Sequence, residues 1–473
     1  MINSKDASST KFFHSIKVHF VGMGGTGMCG IAELLINLDY SVSGSDIAIN
    51  DSIIRLKELG AKFTEGHNKE NISNANVVVY SSAIKSDNEE LVEARKRKIP
   101  TIPRAEMLSE LMRMKYSIAI AGSHGKTTTT SLVASILYKD SLDPTFVIGG
   151  RLNAFGSNAR LGEGDFLVAE ADESDGTFLD LSPTVALVTN IDEEHLDFYQ
   201  NYQSIKNAFL EFVNKIPFYG FSVLCNDNFA IREIIPNIEK RFFTYGFNST
   251  SDYQGKDFRY IGEKSYFDVY RFGKKLGEIK VPMPGIHNAS NSLGALALAM
   301  ELNIPFESVK MGLEEFQGIS RRMDLVGEVS DILLYDDYGH HPEEIKATLK
   351  ALKESCPERR IVAVFQPHRY SRTHHLMKSF ISSFEDADVL FVTPIYSAGE
   401  LPIEGVDSSR LVEGIRTYGN KNCSQIQNFS DGIEKLLNTL SPNDLFVTLG
   451  AGDIWKLGKS LKEKLKYSIN VKG

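Results

Sequence analysis

Short runs of apolar residues alternate with segments of helical periodicity along most of the 473-residue chain. Strands that alternate with helices in this way predict parallel β-sheets that are covered on both faces. One stretch, residues 242–281, instead alternates polar and aromatic residues and predicts antiparallel hairpins. The strands predicted for the parallel sheets span residues 16–21, 40–44, 77–80, 117–121, 166–169, 185–189, 332–335, 361–365, 389–393 and 445–449.

These strands and helices fall into three blocks, and the length of the chain suits about three domains. The predicted boundaries give an N-terminal domain over residues 1–116, a central domain over residues 117–318 and a C-terminal domain over residues 319–473. The predicted fold class is therefore α/β with three domains, the central one carrying a small antiparallel portion.

Composition argues against several classes of protein. A net charge of −9 disfavours a general nucleic-acid binder, which would more often be basic. The four cysteines form no Cys-x-x-Cys pair, which favours reduced thiols over a zinc site or a disulfide framework. The first dozen residues are polar and no window of about 18 residues is uninterruptedly apolar, so we expect a soluble cytoplasmic protein that binds no membrane.

The first predicted strand runs directly into a glycine-rich loop. Gly22, Gly24 and Gly27 have the spacing of a dinucleotide-type fingerprint, in which backbone amides and a helix N-terminus face a pyrophosphate. Asp46 ends the second strand, where a ribose hydroxyl is often held. The signal fits NAD, FAD or a nucleotide sugar equally well, and glycines used only for a tight turn remain an alternative.

A second loop follows the strand at residues 117–121. Gly125-Lys126-Thr127 is the core of a phosphate-binding loop, in which the lysine offers a point charge and the threonine hydroxyl can ligate magnesium. The spacing Gly-x-x-x-x-Gly-Lys-Ser/Thr would place glycine at Ile120, whereas this chain has Gly122. The shorter form argues against GTPases and generic ATPases.

Two glycine loops in one chain indicate two phosphate-bearing ligands. An NAD-dependent oxidoreductase would leave the second loop unused, and a kinase or ATPase would leave the first unused. A ligase that consumes ATP and acts on a nucleotide-bearing substrate uses both loops, so we favour that class.

Carboxylates follow two neighbouring strands of the central block. In an open parallel sheet such strand ends line the ligand crevice, and one or two carboxylates near phosphates suffice for magnesium. A solvated acidic loop is the alternative, and His195 taken alone is more often structural. The residues concerned are Glu170, Asp172, Glu173 and Asp175 after one strand, and Asn190, Asp192, Glu193, Glu194, His195 and Asp197 after the next.

Further polar clusters lie around the predicted domain junction and in the C-terminal block. His287, Asn288 and Asn291 begin a helix, either to bind a ligand or as ordinary caps. Arg321 and Arg322 suit bidentate phosphate binding or a plain surface pair. The remaining candidates follow two strands and are His340, His341, His368, Arg369 and Arg372.

Taken in order, these segments resemble the Mur ligases over nearly the whole chain. The motifs that carry the resemblance are Gly122-Ser-His-Gly-Lys-Thr-Thr, Glu170-Ala-Asp-Glu-Ser-Asp-Gly, His287-Asn-x-x-Asn, Arg321-Arg and Asp336-Asp-Tyr-Gly-His-His-Pro. The resemblance implies a Rossmann-like N-terminal domain for a UDP-sugar, a central phosphate-loop ATPase domain, and a Rossmann-like C-terminal domain that binds an amino acid and closes over ATP.

The resemblance also implies roles for individual residues. The UDP-sugar would meet Gly22, Gly24, Gly25, Thr26, Gly27, Asp46, Ser81 and Ser82. ATP would meet Gly122, Ser123, His124, Gly125, Lys126, Thr127, Thr128, His287, Asn291 and Arg322. The magnesium residues would be Thr127, Glu170 and His195, and the catalytic residues Lys126, His195, Arg322, His340, Arg369 and Arg372.

The implied activity is ATP-dependent amide formation between L-alanine and UDP-N-acetylmuramic acid, with magnesium, in peptidoglycan precursor synthesis. A related ligase that attaches a ready-made tripeptide to the same UDP-sugar is the alternative. The stretch Gln366-Pro-His-Arg-Tyr-Ser-Arg favours addition of the single amino acid. We further expect no nucleic-acid partner and a monomer or weak homodimer. A non-catalytic nucleotide-binding regulator is disfavoured by Lys126, Thr127, Glu170 and His195.

Overall fold

The computed structural model describes residues 16–81, 83–248, 250–419 and 422–470. These residues form three β-sheets and two compact units. The first unit holds the described residues up to Lys256 together with Val269–Gly277 and Ser290–Phe316. The second unit holds Asp257–Asp268, Glu278–Ala289 and the described residues from Gln317 onwards.

The first sheet is parallel throughout, in the order β3-β2-β1-β4-β5, as predicted. Its central strand is buried from Val18 onwards because neighbouring strands and helices cover it on all sides. The edge strands β3 and β5 were not predicted, since both are short and only partly buried. The elements are β1 (Lys17–Val21), α1 (Thr26–Asn37), β2 (Ser41–Asp46), α2 (Asp51–Glu58), β3 (Lys62–Glu65), a 3-10 turn (Lys69–Ile72), β4 (Val77–Tyr80), α3 (Glu89–Lys96), β5 (Thr101–Pro103) and α4 (Arg104–Met112).

The second sheet has ten strands in the order β15-β14-β13-β12-β11-β10-β6-β9-β7-β8. Strand β6 is buried from Ser117 onwards and leads directly into the phosphate loop. The elements up to β12 are β6 (Tyr116–Ala121), α5 (Lys126–Lys139), β7 (Thr145–Leu152), β8 (Ser157–Arg160), β9 (Phe166–Glu170), a 3-10 turn (Thr177–Asp180), β10 (Val185–Val188), α6 (Leu196–Tyr199), α7 (Tyr202–Asn214), β11 (Phe221–Cys225), α8 (Phe229–Ile234), a 3-10 turn (Ile235–Asn237) and β12 (Phe242–Gly246).

The antiparallel stretch predicted for residues 242–281 is confirmed in part. Strands β13 (Tyr253–Ile261), β14 (Lys264–Arg271) and β15 (Lys274–Val281) are neighbours joined by two-residue turns, which only hairpins allow. Strand β12, however, pairs in parallel with both β11 and β13. Alternation reports which side chains are buried but not the direction of the neighbouring strand, so the sequence could not separate the two cases.

The third sheet has the order β16-β17-β21-β18-β19-β20, with only β16 antiparallel. Alternate residues of its strands enter two apolar clusters: Val362 and Val364 belong to one, Ala363 and Phe365 to the other. The elements after β15 are α9 (Ile286–Glu301), α10 (Phe306–Glu314), β16 (Asp324–Val329), β17 (Ile332–Asp337), α11 (Pro342–Ser355), β18 (Arg360–Phe365), α12 (Tyr370–His375), α13 (Met377–Ile381), β19 (Val389–Val392), α14 (Ser408–Tyr418), β20 (Cys423–Gln425), α15 (Phe429–Thr439), β21 (Asp444–Leu449) and α16 (Trp455–Asn470).

Within the described part of the chain, no helix combines the length and the apolar character that a membrane crossing needs.

Candidate active site

The first glycine loop, residues 22–27, is fixed by the neighbouring strand β2. The N–H groups of Gly22 and Met23 both donate to the carbonyl of Ser45, at 2.9 and 3.0 Å. Gly22 has φ +81°, a left-handed conformation that favours glycine. The N–H of Gly24 donates to Oδ2 of Asp46 at 2.8 Å, so this carboxylate braces the loop. Ser82 and the side chain of Thr26 lie outside the described residues.

A buried glutamate that the sequence did not single out supports the same loop. Oε2 of Glu90 accepts from Oγ of Ser45 at 2.6 Å and lies 3.5 Å from Nε2 of His19. Burial opposes the charged form of Glu90, but hydrogen bonds from His19 and Ser45 hold the pKa of its carboxyl below the usual value. This hydrogen bond connects the end of strand β2, where the carbonyl of Ser45 accepts from the glycine loop, to helix α3.

The phosphate loop is held by the end of strand β10. The N–H of His124 donates to Oδ1 of Asn190 at 2.8 Å, and Oγ1 of Thr189 donates to the carbonyl of His124 at 2.6 Å. Gly122 and Gly125 have φ values of +135° and +80°, which side chains with a Cβ rarely adopt. The loop conformation therefore depends on both glycines of the motif.

Lys126 points back into its own loop. Its Nζ lies 2.9 and 2.8 Å from the two carboxylate oxygens of Glu173 and donates to the carbonyl of Gly122 at 2.6 Å. Burial disfavours the ammonium, but Glu173 and Asp172 outweigh it and hold the pKa of Lys126 above its ordinary value. The same burial raises the pKa of Glu173 to about 7, against the influence of Lys126.

The predicted metal histidine lies among acidic residues. Nε2 of His195 lies 3.9 Å from Glu173 and 3.8 Å from Glu194, and ligand atoms of these three residues lie within 4.8 Å of one another. His195 has φ +54°, a conformation uncommon outside glycine that often marks a functional site. Glu170, at the end of β9, accepts the N–H of Gly149 at 2.6 Å. Glu173 and Glu194 were noted in the acidic runs but given no role there.

Other predicted ATP residues are divided between the two units. Asn291 is buried in the first unit beside the phosphate loop, where a Cβ added to Gly125 would lie 2.6 Å from its Oδ1. Ser123 Oγ accepts the N–H of Asp192 at 2.9 Å. His287 belongs to the second unit, and burial lowers the pKa of its ring to about 4.

In the second unit the two junction arginines lie against one tyrosine ring. The guanidinium carbons of Arg321 and Arg322 are 5.0 and 5.1 Å from the ring centre of Tyr338. Arg321 also donates from Nε to Asp336 at 3.1 Å and from Nη2 to a backbone carbonyl, so it serves the fold. Arg322 lies 3.5 Å from a carboxylate oxygen of Glu344.

Hydrogen bonds assign the proton positions of two neighbouring histidines. Nδ1 of His340 lies 3.1 Å from the carbonyl of Tyr338, which only accepts, so Nδ1 carries the hydrogen and Nε2 is an acceptor. Nη1 of Arg372 lies 3.3 Å from Nδ1 of His368, so in that ring Nε2 carries the hydrogen. Burial lowers the pKa of both rings to about 4.

Arg369 and Tyr396 complete this cluster. Arg369 has φ +71°, and its N–H donates to the carbonyl of Tyr396 at 2.8 Å. The ring of Tyr396 stacks on His368 with centroids 5.5 Å apart. Sequence reasoning missed Tyr396, because it follows a different strand from the motif that it contacts.

We expect His340 and His368 to stay neutral from pH 5.5 to 8. In the unfolded chain these histidines bind a proton below about pH 6.5, whereas in the folded protein they bind it only near pH 4. The two rings therefore lower the free energy of unfolding as the pH falls from about 6.5 towards 4, and they have no such effect above that range. Histidine Cε1–H resonances, assigned with His340→Gln and His368→Gln, should not shift over that range. A midpoint near pH 6.5 for either ring would contradict the burial argument.

Three family models match the chain in succession. Residues 17–116 match the Mur ligase family catalytic domain, residues 120–299 the Mur ligase middle domain, and residues 321–452 the Mur ligase glutamate ligase domain. Together with the parallel first sheet and the two mixed sheets, these matches confirm the predicted α/β fold. The chain belongs to the Mur ligase family, whose members use ATP.

Individual relatives are similar over almost the full length. UDP-N-acetylmuramate–L-alanine ligase of Geotalea uraniireducens is 55% identical over 453 residues, covering 96% of this chain and 99% of the relative. The enzyme of that name from Myxococcus xanthus is 50% identical, with 98% of each covered. The structure of UDP-N-acetylmuramate-alanine ligase from Thermotoga maritima is 28% identical, with a TM-score of 0.83 over 96% of this chain and all of that one.

A structure of a second enzyme in the family is also similar. The murein peptide ligase of Psychrobacter arcticus is 25% identical, with a TM-score of 0.71 over 95% of this chain and 98% of that one.

Proposed function

We propose that this chain joins L-alanine to the lactyl carboxylate of UDP-N-acetylmuramic acid and converts ATP to ADP and phosphate, as a step of peptidoglycan precursor synthesis. The observation that carries the proposal is the 55% identity, over 96% of the chain, to a UDP-N-acetylmuramate–L-alanine ligase. Both glycine loops and the histidine–arginine cluster of the second unit support the proposal, because each offers groups of the kind that such a reaction needs.

The three substrates are assigned to the three predicted domains. Residues 1–116 would bind the UDP-sugar, residues 117–318 ATP, and residues 319–473 the amino acid. For the UDP-sugar, the carbonyl of Ser45 and the carboxylate of Asp46 hold the backbone of the glycine loop, so that its remaining amides can face a diphosphate.

When ATP binds, its phosphates would replace the present partners of the Lys126 ammonium. In this structure the ammonium is satisfied by Glu173 and two loop carbonyls, all of which compete with phosphate oxygens. Phosphates in the loop would draw the side chain away from Glu173 and leave a buried carboxylate in need of a cation. The freed carboxylate of Glu173 would then be one of the residues that hold a divalent cation.

The donor set near the loop suits a magnesium ion. Glu173, Glu194 and His195 bring ligand atoms within 4.8 Å of one another, and we add Thr127 and Glu170 from the predicted metal set. Carboxylate and hydroxyl oxygens are the ligands magnesium prefers, with water completing its shell. When bound, the ion would supply positive charge that offsets the charge of the phosphates.

The chemistry requires activation of a carboxylate. The lactyl carboxylate attacks the γ-phosphorus of ATP, which forms an acyl phosphate and releases ADP. Lys126 and Arg322 are assigned to offset charge on the transferred group. The amine of L-alanine then attacks the carbonyl carbon and expels phosphate. We assign Nε2 of His340 to accept a proton from the amine, since its ring is neutral and that nitrogen is the acceptor.

Arg369 and Arg372 are assigned to the carboxylate of the amino acid, with Tyr396 and His368 fixing their position. Arg369 directly precedes helix α12, Arg372 lies in it, and both offer planar donor pairs.

A phosphate-release assay with ATP, magnesium and UDP-N-acetylmuramate tests the proposed function. The assay is run against a panel of L-alanine, L-serine, glycine and the tripeptide L-alanyl-γ-D-glutamyl-meso-diaminopimelate. Activity with L-alanine supports the proposal. Activity with the tripeptide alone would establish the alternative ligase, and phosphate release that needs no amine would overturn amide formation altogether.

We expect Arg372→Ala to raise KM for L-alanine about ten- to a hundred-fold, because a charged hydrogen bond contributes about 1.5–3 kcal/mol. The KM values for ATP and UDP-N-acetylmuramate should change little. Arg410→Ala is the matched control, since it removes the same charge from an exposed helix position in the same unit. An unchanged KM for L-alanine in Arg372→Ala would refute the assignment.

A further inference from the structure

Arg104, the first residue of helix α4, lies against the first glycine loop although no motif includes it. A Cβ atom added to Gly27 would fall 2.5 Å from Nη1 and 3.1 Å from Cδ of Arg104. The guanidinium therefore fills the space beside the first turn of α1, which is open only because residue 27 is glycine. Backbone N–H groups in this turn have no partner within the helix.

The same guanidinium reaches the acidic loop of the central sheet. Its Nη2 lies 3.3 Å from Oδ2 of Asp172, and this is its one side-chain hydrogen bond among the described residues. The side chain is only 24% exposed, yet an arginine has five N–H donors. Most of the donor capacity of a largely buried cation is thus available to another group.

The ion pair alone does not account for this placement. The Asp172 side chain is 42% exposed, and pairs with that much solvent contribute at most about 1 kcal/mol. Asp172 directly precedes Glu173, whose carboxylate lies 2.8 Å from Nζ of Lys126, so Arg104 lies between the first glycine loop and the surroundings of the phosphate loop. Between two anion-binding loops, an arginine with free donors suits an anionic substrate.

We propose that Arg104 binds the diphosphate of the UDP-sugar and, held by Asp172, positions that substrate between the two loops. This inference rests on the proposed function, because it requires a UDP-sugar at the first loop. The diphosphate is the part of the substrate that the helix N-terminus at Gly27 favours, and the guanidinium fork matches two phosphate oxygens.

Calorimetric titration without ATP tests the assignment. UDP-N-acetylmuramate, UDP and UMP are titrated into the wild type, Arg104→Ala, Arg104→Lys and Arg113→Ala. Arg113 follows the same helix and forms an exposed pair with Glu110, so its removal is the matched control. We expect Arg104→Ala to lower the affinities for UDP-N-acetylmuramate and for UDP by the same factor, about ten- to a hundred-fold. The affinity for UMP should fall by less. Arg104→Lys should recover part of the loss.

Each other outcome decides a different question. Unchanged affinity in Arg104→Ala would overturn the proposal. A lower affinity for UDP-N-acetylmuramate with an unchanged affinity for UDP would indicate that Arg104 contacts the lactyl carboxylate, and would overturn the diphosphate assignment. A wild type that binds neither UDP-N-acetylmuramate nor UDP would instead refute the proposed function.

Gly27→Ala provides a second test that leaves Arg104 in place. The added methyl would displace the end of a flexible side chain rather than backbone, so the helix should tolerate it. We expect Gly27→Ala, made in the wild type, to lower the affinity for UDP. Made in the Arg104→Ala variant, it should cause no further loss of affinity, because no guanidinium remains to be displaced. Additive losses would show that the methyl meets the ligand directly and would count against the shared site.

Discussion

We expect Lys126→Ala to abolish phosphate release, with kcat falling by at least about a thousand-fold, while the affinity for UDP-N-acetylmuramate stays within about threefold of the wild type. The physical reason is that Lys126 places an ammonium inside the phosphate loop. Removing this charge leaves the negative charge of the transferred phosphoryl group without its principal partner from the chain. The UDP-sugar is assigned to another loop and should be unaffected.

The measurement pairs a phosphate-release assay with calorimetric titration of UDP-N-acetylmuramate. Lys139→Ala is the control, because Lys139 ends the same helix and forms a surface ion pair with Glu315. Lys126→Ala leaves Glu173 buried without its cation, so chemical unfolding of this variant is measured as well, to separate lost stability from lost catalysis. Near-normal phosphate release by Lys126→Ala would discard the role assigned to the lysine.

Gly122→Ala should have the second largest effect. A Cβ at this position would collide with Oγ1 of the buried Thr189 and lie 3.1 Å from backbone atoms of Asn190. Its φ of +135° is also strained for any residue with a side chain. Because neither obstacle is the end of a flexible chain, the loop itself must move. A displacement of about 1 Å costs about a hundred-fold in rate, so we expect at least that loss of kcat/KM for ATP.

Gly60→Ala is the control that separates the effect of backbone strain from the effect of the collision with Thr189. Gly60 has φ +108°, but a Cβ added there has no atom within 4 Å. Both variants should lose about 1–2 kcal/mol of stability through the left-handed backbone, whereas only Gly122→Ala should lose ATP-dependent activity. The comparison uses chemical unfolding together with kcat/KM for ATP. A fully active Gly122→Ala would show that the loop does not need its observed conformation.

The elements that could be predicted are those whose residues lie next to one another in sequence. Strand β4 was predicted with its observed ends because Val77, Val78 and Val79 are consecutive and apolar. Both loops were found because glycines at fixed spacing permit backbone conformations that the structure contains at Gly22, Gly122 and Gly125. Edge strands such as β3 and β20 were missed, since short, partly exposed segments carry little periodicity.

The candidate site divides in the same way. Lys126 and His195 were predicted as site residues from local motifs, whereas the pairing of Lys126 with Glu173, across 47 positions of sequence, could not be predicted. Glu90 resembles its exposed neighbour Glu89 in sequence, and only the fold buries it beside Ser45. The proton positions of His340 and His368 likewise depend on partners that the motif does not specify.

By itself the sequence determined the family, the α/β class and the side chains available to phosphates, because these depend on residue types at short spacing. Only the tertiary structure decided which carboxylate meets Lys126, which nitrogen of His340 accepts a proton, and that Arg104 lies between the first glycine loop and Asp172. Such contacts join residues that are distant along the chain, and hydrogen bonds and burial act over a few ångströms of space rather than over a few positions of sequence.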